Sequence, residues 1–160
     1  MTLVSFTLSE QHAFGSQLSW RLKDSEIRFR GSGEYEKLVL RRIPASPGQV
    51  ADFLAALDLI EVWNWRSDYA PEDVARSVLD GSGWSFIASC EGRQCRCGGV
   101  NAYPSFADVS RTTTDRGRYA LLVAAMYDCF CIDGYINQAQ RFAEREVRDC
   151  EGPGTARGSQ

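Results

Sequence analysis

Leu18, Trp20 and Leu22 alternate with Ser19, Arg21 and Lys23, and the same two-residue beat returns at Ile27 and Phe29 against Glu26, Arg28 and Arg30. A period of two places one set of side chains on each side of a strand, so the two runs predict a hairpin with one wet face, turning at Asp24-Ser25. Leu3 to Leu8 fits an additional strand, and Tyr35 to Ile43, after the flexible Gly31-Ser32-Gly33, fits a third strand of the meander. The period then changes. Ser46, Pro47 and Gln49 stand where an N-cap, a first helical residue and a reciprocal capping partner belong, and Val50, Phe53, Leu54 and Leu57 follow at i, i+3, i+4 and i+7. This predicts a helix with one apolar stripe and with Asp52 facing water.

Beyond the helix, Val62-Trp63-Asn64-Trp65 is expected to be extended and the stretch up to Leu79 to be mostly loop. Asp80 to Gly83 fits a turn, and Trp84 to Cys90 and Cys95 to Tyr103 flank Glu91 to Gln94 as a second hairpin. Arg118 to Phe130 carries Tyr119, Leu122, Val123, Met126 and Tyr127 on one helical face, with Asp115 or a preceding Thr as its cap, and a last amphipathic helix is expected from about Tyr135 to Val147. Glu151 to Gln160 contains three glycines and a proline and is expected to be disordered. The sum is one α+β domain over residues 1–148, an antiparallel sheet of about five to seven strands packed on one face by two or three helices, with a tail at 149–160.

Composition agrees with a globular chain: 160 residues, 44% hydrophobic, 24% charged. A net charge of -3 gives no broad attraction to phosphate backbones or anionic lipid, so neither nucleic acid nor membrane is the expected partner. Of the 18 basic residues only Lys23 and Lys37 are lysines, a bias that fits a GC-rich bacterial genome. Met1 to Phe6 lacks a basic segment and a sustained apolar stretch, and the longest apolar run, Tyr119 to Tyr127, falls far short of the roughly 20 residues a membrane span requires. The expected location is therefore the cytoplasm, with the six cysteines as thiols.

Candidate chemistry is sparse. Cys90, Cys95 and Cys97 lie on the second hairpin, and Cys129 and Cys131 at a helix end, but C-x4-C followed by C-x-C is not the pair of knuckles that zinc sites use. Cys95 and Cys97 should share a strand face, and Cys90 and Cys95 could be neighbours across the loop. His12 is the only histidine and sits in a polar loop with no nucleophile signature around it. Gly81-Ser82-Gly83 and Gly98-Gly99 lack the strand-to-helix setting of a phosphate loop. Asp68, Glu72 and Asp73 stand in an acidic segment interleaved with Trp63, Trp65 and Tyr69, and aromatics ringed by charge have the composition of an interface hot spot. Trp65 and Trp84 are assigned to the core, while Trp63 and Tyr69 are left open.

Three blocks, W-x-W at Trp63 and Trp65, D-G-x-x-W from Asp80 to Trp84, and G-x-N-x-Y-P from Gly99 to Pro104, resemble a pattern shared by small bacterial proteins to which no activity is attached. The resemblance covers about residues 45 to 105 and implies a fold signature, with Trp84 entering the sheet and Asn101 to Pro104 closing a strand through a side-chain-capped turn. The functional expectation is a protein-binding module without catalytic machinery or cofactor, of the type of an immunity protein that neutralises a toxin, with Trp63, Asp68, Tyr69, Glu72 and Asp73 as its contacts. The alternatives are a thiol- or metal-dependent sensor using Cys90, Cys95 and Cys97, and an enzyme with Asp68, Asp80 and Asn101 as its polar groups.

Overall fold

The computed structural model describes residues 3–40, 42–74 and 81–150. Six strands, β1 (Leu3–Gln11), β2 (Gln17–Lys23), β3 (Glu26–Ser32), β4 (Ile43–Pro44), β5 (Gly83–Cys90) and β6 (Arg93–Val100), form one antiparallel sheet in the order β4-β3-β2-β1-β5-β6. A small second sheet pairs β7 (Tyr103–Pro104) with β8 (Thr112–Thr113). Three helices follow the chain: α1 (Pro47–Leu59), α2 (Gly117–Phe130) and α3 (Ile132–Cys150). The molecule is thus α+β, as the pattern predicts.

Alternation along the strands decides which face the helices cover. Phe6, Leu8, Trp20, Leu22, Ile27, Trp84, Phe86, Ala88, Cys95 and Cys97 are all buried on one side. Phe6 of β1 sits 4.9 Å from Phe53 of α1 and 6.0 Å from Phe130 of α2, ring centre to ring centre, so both helices close on the middle of the sheet. Burying Phe53, Leu54 and Leu57 stabilises the α1 contact by about 1.5–3 kcal/mol per side chain. No single described helix is long and apolar enough to cross a membrane.

The β2–β3 hairpin turns at Asp24-Ser25, both at positive φ, with Lys23 opposite Glu26. Two central residues of that kind match the right-handed twist of the strands. The capping box at the start of α1 is complete: the Gln49 amide donates to the Ser46 hydroxyl at 3.3 Å and the Ser46 amide donates to the Gln49 side chain at 2.9 Å. For α2, the Asp115 carboxylate accepts from the Gly117 amide at 2.8 Å, which makes Asp115 the capping side chain although Arg116 holds the N-cap position.

Four expectations are corrected. Tyr35 to Ile43 is not a strand: Gly33–Tyr35 is a 3-10 turn, the Leu38 amide returns to the Tyr35 carbonyl, and only Ile43–Pro44 pairs with β3. Successive Leu38, Val39 and Leu40 cannot all point inward from one strand, and Val39 is 78% exposed. Val62–Asn64 is a 3-10 turn and not extended, entered through Glu61 in the left-handed region at φ 58°. The second hairpin turns over the two residues Glu91-Gly92, so Cys90 faces Arg93 while Cys95 faces Ala88, and the two cysteines are not a directly opposed pair. β1 extends to Gln11 and lies in the middle of the sheet, between β2 and β5. The tail from 151 and Asp80 lie outside the described residues.

Candidate binding surface

The acidic and aromatic segment after α1 is tied into the fold. Tyr69 is completely buried: its hydroxyl donates to the Val109 carbonyl at 2.6 Å and accepts from the Arg66 amide at 3.0 Å. Burial pushes its pKa up to about 12. Its amide donates to the Gly98 carbonyl at 2.9 Å, so the residue also seals the edge of β6. Trp63 is half-buried, donates to the Asp58 carboxylate at 2.6 Å and carries the Arg93 guanidinium over its ring at 4.6 Å. Asp73 accepts from Thr112 and from Arg66, at 2.8 and 3.1 Å, and these bonds hold its carboxyl below the usual carboxylate range. Of the five residues expected to meet a partner, Tyr69 is withdrawn into the core, Trp63 and Asp73 are engaged by neighbouring side chains, and Glu72 and Asp68 are exposed.

The cysteines are placed for packing. Cys90, Cys95 and Cys97 are all buried on the covered face, with the Cys95 and Cys97 sulfurs 3.5 Å apart. The Cys95 sulfur and burial together push the Cys97 thiol far above its ordinary range. Among the described residues no group of three or more His, Cys, Asp or Glu side chains is arranged to hold a metal ion. Asn101, one of the polar groups weighed for catalysis, accepts from the Ser82 amide at 3.0 Å and donates its own backbone amide to the Ser82 carbonyl at 3.0 Å, and at φ 48° it ties the chain leaving β6 to the chain entering β5.

One convergence of titratable groups has no counterpart in the linear pattern. Glu10 of β1 receives the Tyr119 hydroxyl at 2.5 Å on one carboxylate oxygen, with Arg116 3.7 Å from that oxygen and His12 3.3 Å from the other. Tyr119 is fully buried and its hydroxyl is held by Glu10, so the cluster locks the start of α2 to the end of β1. The Tyr119 hydroxyl is driven well above its usual range, by burial first and by the Glu10 charge second.

What the helices leave uncovered is the other face of the sheet. Its outward side chains are short in the middle, with Ser5, Thr7 and Ser9 on β1, Ser19 on β2, and Ser85 and Ser89 on β5. Ser9 lies opposite Ser19 on one side and Ser85 on the other, and Ser85 lies opposite Gly98. This row floors a cavity of about 640 Å³ whose rim includes Gln11, Gln17, Arg30 and Asp68. Gly98 cannot take a side chain without a shift, since a Cβ there would stand 2.7 Å from the Trp84 carbonyl oxygen. Longer side chains surround the floor, among them Arg21, Arg28, Arg30 and Arg96, all exposed. The sign visible in the sequence was the run of hydroxyls at every second position from Ser5 to Ser9, S-x-T-x-S, echoed from Ser85 to Ser89 as S-x-I-x-S with Ile87 between the two hydroxyls. Compared with known proteins, the chain matches no family model, no curated protein and no solved structure.

Proposed function

We propose that the chain is a protein-binding module without catalytic chemistry of its own, acting in the cytoplasm as an immunity protein that occludes a cognate toxin. The observation that carries this reading is the uncovered face of the six-stranded sheet. A central sheet is among the most rigid surfaces a small domain has, and here β3, β2, β1 and β5 are each held by a strand on both sides. A rigid surface loses little conformational entropy when it docks. Short hydroxyl side chains over β1, β2 and β5 leave that face accessible, and the longer residues around it supply a polar rim of the kind interfaces carry. The contact set moves accordingly from Trp63, Tyr69 and Asp73 to Ser9, Ser19 and Ser85, with Asp68 on the edge of both.

The test is co-expression with the product of the adjacent gene that is toxic alone. Filling the cavity floor with Ser19→Tyr or Ser85→Tyr should abolish protection and weaken binding to that product by about 2 kcal/mol or more, with an unchanged melting temperature. Trp63→Ala should leave protection intact. Protection that survives both tyrosine substitutions would remove this face from consideration.

A further inference from the structure

The uncovered face has a charge pattern opposite to that of the molecule as a whole. The chain carries a net charge of -3, yet Arg21, Lys23, Arg28, Arg30 and Arg96 all point outward from this one face. Register makes the crowding specific: Arg21 of β2 lies directly opposite Arg28 of β3, and Arg30 stands two residues further along the same strand. Like charges facing each other across two strands oppose pairing. Among the described residues the one carboxylate that answers this group is Glu26, 3.5 Å from Arg28 and shared with Arg42 at 3.4 Å. Arg21, Arg30, Arg96 and Lys23 form no ion pair with any described residue. Around the segments that pack against the covered side, arginines are answered, Arg93 by Asp58 at 2.7 Å, Arg118 by Glu61 at 3.0 Å and Arg66 by Asp73 at 3.1 Å. Arg21, Lys23, Arg30 and Arg96 thus form one group on the face that none of the described helices covers, while Lys37, Arg141 and Arg145, also without an ion pair among the described residues, lie away from the sheet face.

We infer that this face docks an acidic protein surface, the partner's carboxylates supplying the ion pairs that Arg21 and Arg30 lack among the described residues and relieving Arg28, whose one carboxylate is shared with Arg42. This rests on the docking reading above and names the chemistry of its partner. Guanidinium groups receive carboxylates two bonds at a time, and four of the five cations are arginine. A nucleic acid would also answer the charge. Proteins that bind single strands offer aromatic rings for stacking, however, and no outward position of β1, β2, β3, β5 or β6 is aromatic. The rim carboxylate of Asp68 and the overall negative charge oppose a phosphate backbone further.

The experiment uses the full chain and a fluorescein-labelled polyglutamate of about 20 residues, with single- and double-stranded DNA of matched charge as comparison, each titrated by anisotropy at low and at physiological salt. The wild type should bind polyglutamate in a salt-dependent manner and the DNA no more tightly. Arg21→Ser/Arg28→Ser should weaken polyglutamate at least about tenfold while melting at or above the wild-type temperature, since an opposed like-charge pair has been removed. No binding of polyglutamate by the wild type, an undiminished affinity in the double variant, or DNA preferred about tenfold or more would each overturn the inference. The co-expression assay separates the two levels. Protection lost with Ser85→Tyr but kept with Arg21→Ser/Arg28→Ser overturns the acidic partner and leaves the docking face standing, whereas protection kept by both overturns both.

Discussion

Tyr69 shows how one residue can serve three structural demands at once. Its ring fills the core beside Trp84, at 6.1 Å between centres, its amide completes the edge of β6, and its hydroxyl joins the loops at Arg66 and Val109. Because burial disfavours the charged phenolate, and the Arg66 amide offsets that only in part, its folded pKa stands near 12 against about 10 in the unfolded chain. The folded value lies above the unfolded one, so the stabilisation is fully present below pH 10 and is lost as pH rises toward 12. A shift of that size corresponds to about 2–3 kcal/mol of pH-dependent stability. Urea midpoints should therefore fall as pH rises from about 10 toward 12, and Tyr69→Phe should start less stable at pH 7 and fall less steeply, although Tyr119 and Tyr103 add raised values of their own. Gly99 makes a second residue-level case. A Cβ there would meet the Ala102 and Tyr69 carbonyl oxygens and the Trp84 indole nitrogen, two of the three being backbone that cannot swing away. Gly99→Ala should cost about 1–3 kcal/mol in equilibrium unfolding, and a loss under about 0.5 kcal/mol would show that the strand shifts to accept it.

At the scale of elements, what could be read from the chain depended on how far its determinants reach. α1 was legible to the residue because its start is written in four consecutive residues, Ser46 to Gln49, and its buried face in the spacing of Phe53, Leu54 and Leu57. That locality makes a sharp prediction. Ser46→Ala should lose about 1 kcal/mol by removing one capping bond, whereas Ser46→Asp should keep most of it, as measured by thermal unfolding. The β2–β3 hairpin was legible for the same reason, its turn being two residues long. The run from Tyr35 to Ile43 was not, because its composition favours a strand while Gly33, at φ 65°, and two successive tight turns take the chain another way. The W-x-W segment failed similarly: the last carbonyls of α1 need donors, and Trp65 supplies one by donating to the Ile60 carbonyl at 3.1 Å, which requires a turn. The surface residues failed for a more general reason. Composition marks Trp63, Tyr69 and Asp73 as interface material, but their partners Arg93, Val109 and Thr112 lie 30 to 40 positions away in the chain. Nothing local distinguishes an aromatic waiting for a partner protein from one already satisfied by a distant segment.

The whole molecule is a two-layer structure in which one side of the sheet is invested in stability and the other is left to solvent. On the covered side Phe6, Phe53, Phe86 and Phe130 lie within 4.9 to 6.2 Å of a neighbour's ring, and no charged side chain is fully buried among the described residues. This division says which parts the fold can lose. α3 starts inside the core, with Ile132 fully buried and Tyr135 and Ile136 packed against it, but every side chain from Gln140 to Arg148 is exposed, including Phe142 at 52% and Val147 at 58%. Residues that bury little contribute little to the free energy of folding. A chain ending after Ala139 should therefore melt within about 2 °C of the full-length protein by calorimetry, and one ending after Cys131, which removes Ile132, should lose about 2–5 kcal/mol. A fall of 5 °C or more in the longer variant, beyond the about 4 °C that 1 kcal/mol moves a domain of this size, would mean that the distal turns of α3 are bound to the body of the molecule. Stability and surface would then not be divided between the two sides of the sheet.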